Sequence, residues 1–317
     1  MTRFVVLRAV YLLAGLVVAS VLIFFTLRIL PGDVALVIAG SQASAERIEA
    51  VRAQLGLARP IVVQYGEWVA GLLRGDLGRS VVTGTPVGEQ IAEKLAVTAP
   101  LALLSLVFGL ALALPLGVAS ALRRGRPSGL ALSAAAQAAA AVPVVWAGLL
   151  LIVALSGWLG LFPSQGFPRA GWGDPLRALH ALVLPALTIG IVEGAVLLRF
   201  VRSAMLDAVG QTYVTAAAAR GLTRRRAILR HGLPNVGLSV VSVLGLQVAA
   251  LIVGAVVIEE LFNLPGLGRM LVTDVGQRDL PKVQSEVFVI TAIILVVGFA
   301  VDVAHRVVDP RLRARFS

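Results

Sequence analysis

Six long apolar runs constrain the fold of this 317-residue chain more than any other feature. Each run has about the 20 residues that a helix needs to cross the hydrocarbon core of a membrane. The runs are continuously apolar and do not alternate with polar residues, which favours helices over the strands of a membrane barrel. The sequence therefore predicts an all-α polytopic membrane protein with six transmembrane helices, at Val10–Ile29, Thr98–Leu122, Gly129–Leu159, Leu182–Val201, Leu238–Ile258 and Val287–Val308.

The composition supports a membrane protein. Hydrophobic residues make up 58% of the chain and charged residues only 14%, whereas about a quarter of a soluble domain is charged. The net charge of +11 does not indicate nucleic-acid binding, because the arginines lie in clusters between apolar runs without interleaved aromatic residues. The absence of cysteine excludes disulfides and thiolate metal sites. Arg3 and Arg8 precede the first run as in a signal peptide, but that run is too long, so we expect a retained first span.

The basic residues predict the orientation of the spans. With both termini inside, sixteen arginines lie on the inner face, against five basic residues on the outer face outside the long first loop. Cytoplasmic loops carry such an excess, so we expect cytoplasmic N- and C-termini. The inner residues are Arg3, Arg8, Arg123, Arg124, Arg126, Arg199, Arg202, Arg220, Arg224, Arg225, Arg226, Arg230, Arg306, Arg311, Arg313 and Arg315, and the outer ones are Arg169, Arg177, Arg269, Arg278 and Lys282.

Two loops are too long to be simple connections. The first contains two amphipathic helix candidates, Ala45–Leu55 and Pro60–Leu73, and then a turn at Gly75–Ser80. We expect it to form a small extracytoplasmic cap. The predicted division of the chain is residues 1–30 with the first span, the cap loop 31–97, and a transmembrane core 98–317 that contains the inner loop 203–235.

The inner loop has a helix–turn–helix pattern. Ser203–Arg220 has high helix propensity, and Gly221 suits the position just after a helix end. Thr223 can cap a second short helix over Arg224–His231. Pro234 then lies near the start of the fifth span, where its missing N–H costs little. A small-residue helix, a glycine and a basic turn on one side of the membrane predict a docking surface.

Motifs for catalysis and for phosphate binding are missing from the sequence. The chain has no G-x-x-x-x-G-K-[ST] loop, no H-E-x-x-H zinc motif and no G-x-S-x-G nucleophile motif. Its three histidines, His180, His231 and His305, lie at predicted membrane interfaces. The sequence therefore predicts a chain that is not an enzyme and holds no metal or cofactor of its own.

Two acidic residues are candidates for a pathway through the membrane. Glu193 lies inside the fourth span, where a carboxylate is by default a functional candidate. Its structural alternatives are pairing with Arg199 or Arg202 near the inner surface and simple exposure to water. Glu259 ends the fifth span on the outer side, where it either contacts a substrate or caps the turn that follows.

The inner loop resembles the EAA loop of ABC importer permeases. That motif reads Glu-Ala-Ala, three residues, Gly, nine residues, then a hydrophobic residue, any residue, and Leu-Pro. The alanines, the glycine and the Leu-Pro pair match in register, while a threonine and a histidine replace the glutamate and the hydrophobic residue. In chain order these positions are Thr215, Ala216, Ala217, Gly221, His231, Leu233 and Pro234.

The rest of the chain, over roughly residues 5–315, resembles the peptide/nickel branch of the binding-protein-dependent permeases. A long first outer loop is typical of the first of the two permease subunits in that branch. Ala216–Arg220 departs from the branch, which often carries a further Arg and a Lys there. The matching segments are Leu30-Pro31-Gly32-Asp33, Val51–Leu57, Gly75–Ser80, Tyr213-Val214, Gly254–Glu259, Pro265–Arg269 and Asp309-Pro310-Arg311.

The resemblance implies a multi-pass permease subunit of an ATP-driven importer in the plasma (inner) membrane of a prokaryote. It implies as partners a second homologous permease, two cytoplasmic P-loop ATPase subunits that bind ATP and Mg²⁺, and an extracytoplasmic solute-binding protein, in membrane lipid and without nucleic acid. Di- or oligopeptides are the expected substrates. Nickel, glutathione or another small solute stays open, as do a channel or a membrane enzyme outside the family. The residues implied in coupling to an ATPase subunit are Thr215, Ala216, Ala217, Arg220, Gly221, Leu233 and Pro234.

Overall fold

The computed structural model describes residues 2–29, 34–40, 43–54, 56 and 58–308. In these ranges the regular structure is helical, and the β-structure is limited to an isolated bridge between Arg79 and Pro86. The motifs at Leu30–Asp33 and Asp309–Arg311 lie outside the described residues. The helices are α1 (Thr2–Ile29), α2 (Val34–Ala39), α3 (Ala45–Gln54), α4 (Ile61–Leu73), α5 (Val87–Leu122), α6 (Pro127–Ala141), α7 (Val144–Leu151), α8 (Pro175–Val209), α9 (Thr212–Ala219), α10 (Arg224–Ala227), α11 (Leu233–Leu261), α12 (Leu267–Gly276) and α13 (Leu280–Val308), with π-helical turns at Ile152–Trp158 and Ile228–Gly232 and a 3₁₀ turn at Gly171–Gly173.

Four helices, α1, α5, α8 and α13, are long and apolar enough to cross a membrane alone. Two further candidates are bent pairs. Pro127–Ala141 and Val144–Trp158 meet at 104°, and two parts of α11 meet at 45°. The six predicted spans are obtained when each bent pair counts as one span. The sharper bend lies at Pro143, whose ring disfavours a helical conformation for Val142, and Val142 is extended there.

The helices extend beyond the apolar runs that predicted them. α8 begins at Pro175, seven residues before the run at Leu182. The Asp174 carboxylate accepts a 3.2 Å hydrogen bond from the Arg177 N–H, and the proline in the first turn has no N–H to satisfy. Hydrophobicity thus predicts the part of a helix that lies within the membrane, and capping residues decide where the helix ends.

The described chain divides into two compact units. The first contains Thr2–Val97 and Gly266–Val296, and the second contains Thr98–Pro265 and residues 297–308. α8 is the central helix of the second unit, because 67% of its apolar span is buried and α6, α7 and α11 all contact it. The division predicted from the loops, at residues 30 and 97, stays a prediction.

Glycines let α5 and α8 approach closely within the second unit. A Cβ added at Gly190 would lie 2.7 Å from the Phe108 Cβ, and one added at Gly194 would lie 3.0 Å from the Gly109 Cα. The first distance is too short for a real side chain, and the second would require the neighbouring backbone to shift. Such small-residue contacts are typical of helix pairs in membranes, where van der Waals packing drives association.

An aromatic cluster joins α1, α4 and α13 in the first unit. The Phe24 ring lies 5.3 Å from the Tyr65 ring and 5.9 Å from the Trp68 ring, and Trp68 contacts Phe288 at 5.6 Å. The Tyr65 hydroxyl also hydrogen-bonds Ser20 over 2.9 Å. The amphipathic helices predicted in the first loop are therefore present as α3 and α4, and α4 packs by its aromatic residues.

A buried polar cluster lies near α12 and the start of α13, also in the first unit. The Lys282 ammonium is 2.7 Å from the Asp274 carboxylate and donates a 2.7 Å hydrogen bond to the Gln90 side-chain carbonyl. The Asp279 carboxylate accepts a 2.5 Å hydrogen bond from the Ser80 hydroxyl. Removing one partner of a buried ion pair costs about 3–5 kcal/mol, so this cluster fixes α12 and α13 to the end of the first loop.

Candidate functional site

The predicted docking loop consists of two short helices between α8 and α11. α8 ends at Val209 and α9 begins at Thr212, so the single helix predicted over Ser203–Arg220 is wrong at Gly210. Glycine in a helix interior costs about 1 kcal/mol relative to alanine. The Gly210 N–H bonds the Asp207 carbonyl over 3.2 Å and thereby closes the last turn of α8.

α9 has one buried face and one exposed face. Val214 and Ala217 are only 3% and 5% exposed, and they pack in a cluster with Met205 of α8 and Ile228. Ala217 therefore faces the core of its own unit and does not lie on the accessible surface, unlike the other coupling candidates. The accessible residues are Thr215, Ala216, Ala219, Arg220 and Gly221.

Gly221 ends α9 in the left-handed conformation that its predicted role requires. Its φ is +95°, and a Cβ placed there would meet nothing within 4 Å. The Leu222 N–H donates to the Ala217 carbonyl over 3.4 Å, which is the 6→1 bond of a Schellman turn. Among the described residues, the backbone angle and not a neighbouring atom favours glycine at this position.

The second half of the loop leads into α11. The Thr223 hydroxyl accepts a 3.4 Å hydrogen bond from the Arg226 N–H, as expected of the residue that caps α10. The predicted helix over Arg224–His231 is helical throughout, but it continues past Ala227 as a π-helical turn. Leu233 begins α11 and Pro234 lies in its first turn. Both are exposed.

The accessible side of the loop carries basic residues and small side chains. Arg226, Arg230 and His231 are exposed beside the alanine face of α9, and Leu229 adds an apolar side chain. Small side chains allow a partner backbone to approach closely. This arrangement fits docking into a groove.

Glu193 lies in α8 and faces α11. Its carboxylate accepts a hydrogen bond from the Gln247 side-chain amide, which also donates to the Glu193 carbonyl over 3.1 Å. The side chain is half-buried. Among the described residues its partner is this glutamine, and the alternative pairing with Arg199 or Arg202 is not formed.

Glu259, the second pathway candidate, has no exposed surface. Its carboxylate accepts a 2.6 Å hydrogen bond from the Thr98 hydroxyl, and its carbonyl accepts one from the Leu264 N–H over 2.8 Å. In this conformation the residue connects the end of α11 to α5 and closes the following turn, which is the structural alternative.

Sequence reasoning did not identify the partners of these two carboxylates. Gln247 and Thr98 are polar residues within predicted apolar runs, and that position was the only signal available for them. Within the ranges that the structure describes, no group of three or more His, Asp or Glu residues could hold a metal ion.

Two protein-family models match the chain. The model described as "Binding-prot-dependent transport system membrane comp, N-term" matches residues 1–102, and the model described as "Binding-protein-dependent transport system inner membrane component" matches residues 113–314. The second match includes α9, Gly221 and the start of α11.

Named relatives are similar over the full length. A protein of Brucella abortus (strain 2308), named as a peptide transport system permease protein, is 36% identical over 313 residues, 99% of each chain. A glutathione transport system permease protein of Salmonella typhimurium (strain LT2) is 35% identical over 314 residues, again 99% of each chain. These relatives carry the names of permease subunits and not of enzymes.

A solved structure supports the fold. A chain of the MetNI methionine ABC transporter in an inward-facing conformation superposes with a TM-score of 0.55 at 18% identity, over 69% of this chain and 96% of that one. The three comparisons agree: they are the matches to the family models, the full-length relatives and the similar fold. The chain belongs to the inner membrane components of binding-protein-dependent transport systems, the multi-pass permeases of ABC importers.

Proposed function

We propose that this chain is the first of the two permease subunits of an ATP-driven importer that takes up di- or oligopeptides. The peptide permease name of the Brucella abortus relative supports this substrate class. Glutathione, itself a small peptide, is the second candidate, because the Salmonella typhimurium relative carries that name.

The observation that carries the coupling role is the exposed face of α9 with the glycine that ends it. Thr215, Ala216 and Arg220 face outward, and Gly221 turns the chain without a side chain in the way. A groove on an ATPase subunit can therefore approach the α9 backbone. Ala217 supports this surface from behind, since it packs against the rest of the second unit.

The proposed assembly contains this chain, a second homologous permease, two cytoplasmic ATPase subunits and an extracytoplasmic solute-binding protein. In this arrangement both termini and the loop 203–235 are cytoplasmic. The excess of arginine on that side supports the orientation. Leu233 and Pro234 lie next to the docking helices at the start of α11, so movement of the loop would be transmitted directly to that helix.

Glu193 is the proposed pathway residue of the second unit. It is half-buried, and its hydrogen bond to Gln247 joins α8 to α11. A change in the angle between these helices would break that bond and expose the carboxylate. We assign Glu259 a supporting role, because Thr98 holds its carboxylate in the interior.

Reconstitution of the transporter tests the proposal. Proteoliposomes would contain this chain, the second permease, the ATPase subunits and a binding protein loaded with a labelled dipeptide, glutathione or Ni²⁺. We expect ATP-dependent uptake of the dipeptide, and no ATP turnover by this chain alone, because it has no phosphate-binding loop. The proposal would be contradicted if Ni²⁺ were the only one of the three substrates taken up, or if the isolated chain hydrolysed ATP robustly.

A further inference from the structure

A cavity of about 810 Å³ opens at one end of the second unit. Its walls come from the last turn of α5, the Arg123–Arg126 turn that follows, the last turn of α8 and the π-helical turn after α10. The apolar part of the wall is formed by Leu122, Leu206, Val209 and Ile228. Its volume is that of a typical ligand pocket, about 300–1,000 Å³.

Arg123, Arg124 and Arg126 give this cavity a strong positive charge. Their side chains are exposed and line it. No ion pair neutralises them in the part of the chain that the structure describes. Arg202 lies one turn before Leu206 on α8 but is not part of the cavity lining, and among the described residues its buried Nε has no hydrogen-bond acceptor.

Acidic residues do not line the cavity among the described residues. Asp207 is next to Leu206 in the sequence, but it is exposed and outside the lining. Three guanidinium groups close together, with no carboxylate among them, favour the binding of an anion. Guanidinium groups bind phosphate through paired N–H donors, so a phosphate group suits this set of residues.

The depth of the cavity decides between an aqueous anion and a lipid. α5 is apolar up to Leu122, and α6 begins at Pro127 with Leu130 63% exposed. Four residues between two apolar helices cannot carry the arginines away from the membrane surface, so they lie at the level of the phospholipid headgroups. Basic pockets between membrane helices at this level bind anionic headgroups.

We propose that this cavity binds one anionic phospholipid by its phosphate group. Arg123, Arg124 and Arg126 hold the phosphate, and the glycerol and first acyl carbons lie on Leu122, Leu206 and Val209. The apolar wall favours a lipid over free phosphate. The depth favours a lipid over acidic side chains of a cytoplasmic partner.

The bound lipid would also contact the docking loop. Gly210 and Ile228 line the same cavity and belong to the loop 203–235, and Ile228 packs in the cluster that holds Ala217. One lipid therefore bridges the α5–α6 turn and the support of α9. This consequence rests on the proposed coupling function, whereas the binding site itself does not.

The test measures lipid binding to the purified full chain in detergent, by native mass spectrometry and by titration. The probes are short-chain phosphatidylglycerol, short-chain phosphatidylcholine and inorganic phosphate. We expect saturable binding of phosphatidylglycerol, little binding of phosphatidylcholine, and no displacement by millimolar phosphate. Replacing all three arginines by glutamine should weaken binding about a hundredfold, at roughly fivefold for each residue.

Two control variants distinguish loss of the binding site from loss of net charge and from a change in the membrane orientation of the spans. Arg47→Gln/Arg74→Gln/Arg169→Gln removes the same charge from exposed residues outside the cavity and should bind like the parent. Arg123→Lys/Arg124→Lys/Arg126→Lys keeps the charge that orients the spans and should lose less affinity than the glutamine variant.

Three results would overturn the lipid site: equal binding of both lipids, displacement by inorganic phosphate, or unchanged binding by the glutamine variant. Cross-linking of this turn to an acidic ATPase surface with no competition from phosphatidylglycerol would assign the arginines to that partner instead. Binding is measured without transport, so failure of the peptide import proposal would leave these outcomes unaffected.

Discussion

At the scale of single residues, Gly221 allows the effect of backbone conformation to be tested apart from the effect of packing. An L-residue in the left-handed region costs roughly 1–2 kcal/mol, and no atom lies within 4 Å of a Cβ at this position. We expect Gly221→Ala to keep the membrane helices folded but to shift the end of α9, and so to reduce import per ATP hydrolysed. The measurement is coupled uptake and ATP hydrolysis in the reconstituted transporter.

Two other glycines provide the controls for Gly221→Ala. Gly75 has a φ of +77° and the same open surroundings, but it lies in the first loop. Gly75→Ala should cost the same backbone strain and leave coupling intact. Gly84 lies in the same first loop at a φ of +72° with equally open surroundings, so Gly84→Ala should also leave coupling intact. If the transporter with Gly221→Ala imports as much substrate per ATP hydrolysed as the parent, the conformation of this turn is not part of coupling.

At the scale of one element, α9 allows its two faces to be tested against each other. Ala216 is exposed and Ala217 is 5% exposed within the core cluster. Ala216→Trp should leave thermal stability unchanged and weaken co-purification with the ATPase subunits, because its ring occupies the docking face. Ala217→Trp should instead lower stability by about 1–3 kcal/mol through overpacking. Normal co-purification of the Ala216→Trp protein would argue against docking by this face.

At the scale of the whole molecule, the orientation of the chain is open to a direct measurement. The native chain contains no cysteine, so single cysteines can be labelled without background. We expect an impermeant maleimide added to intact cells to label Gly173→Cys, and to label Gly125→Cys and Gly221→Cys only after the membrane is opened. Labelling of Gly221→Cys in intact cells would invert the orientation and remove the docking loop from the ATPase side.

Features that depend on local chemistry were predictable from the sequence alone. Apolar runs of about 20 residues predicted membrane helices because burial in lipid requires them, and the structure contains α1, α5, α8 and α13 at four of these runs. The left-handed turn at Gly221 and the cap at Thr223 were predictable for the same reason, since each depends on a few neighbouring residues. The interruption at Gly210 was missed because the cost of one glycine is small against the propensity of its neighbours.

Contacts between residues far apart in the chain were decided only by the tertiary structure. Lys282 pairs with Gln90, and Asp279 with Ser80, across almost two hundred positions, and no local pattern records such pairs. Helix packing turned Ala217 inward and Ala216 outward, although the two alanines are alike in sequence. The sequence alone thus determined which apolar runs are helical and which family the chain resembles. Burial, which depends on every neighbour at once, decided which side chains are available for docking, transport or lipid.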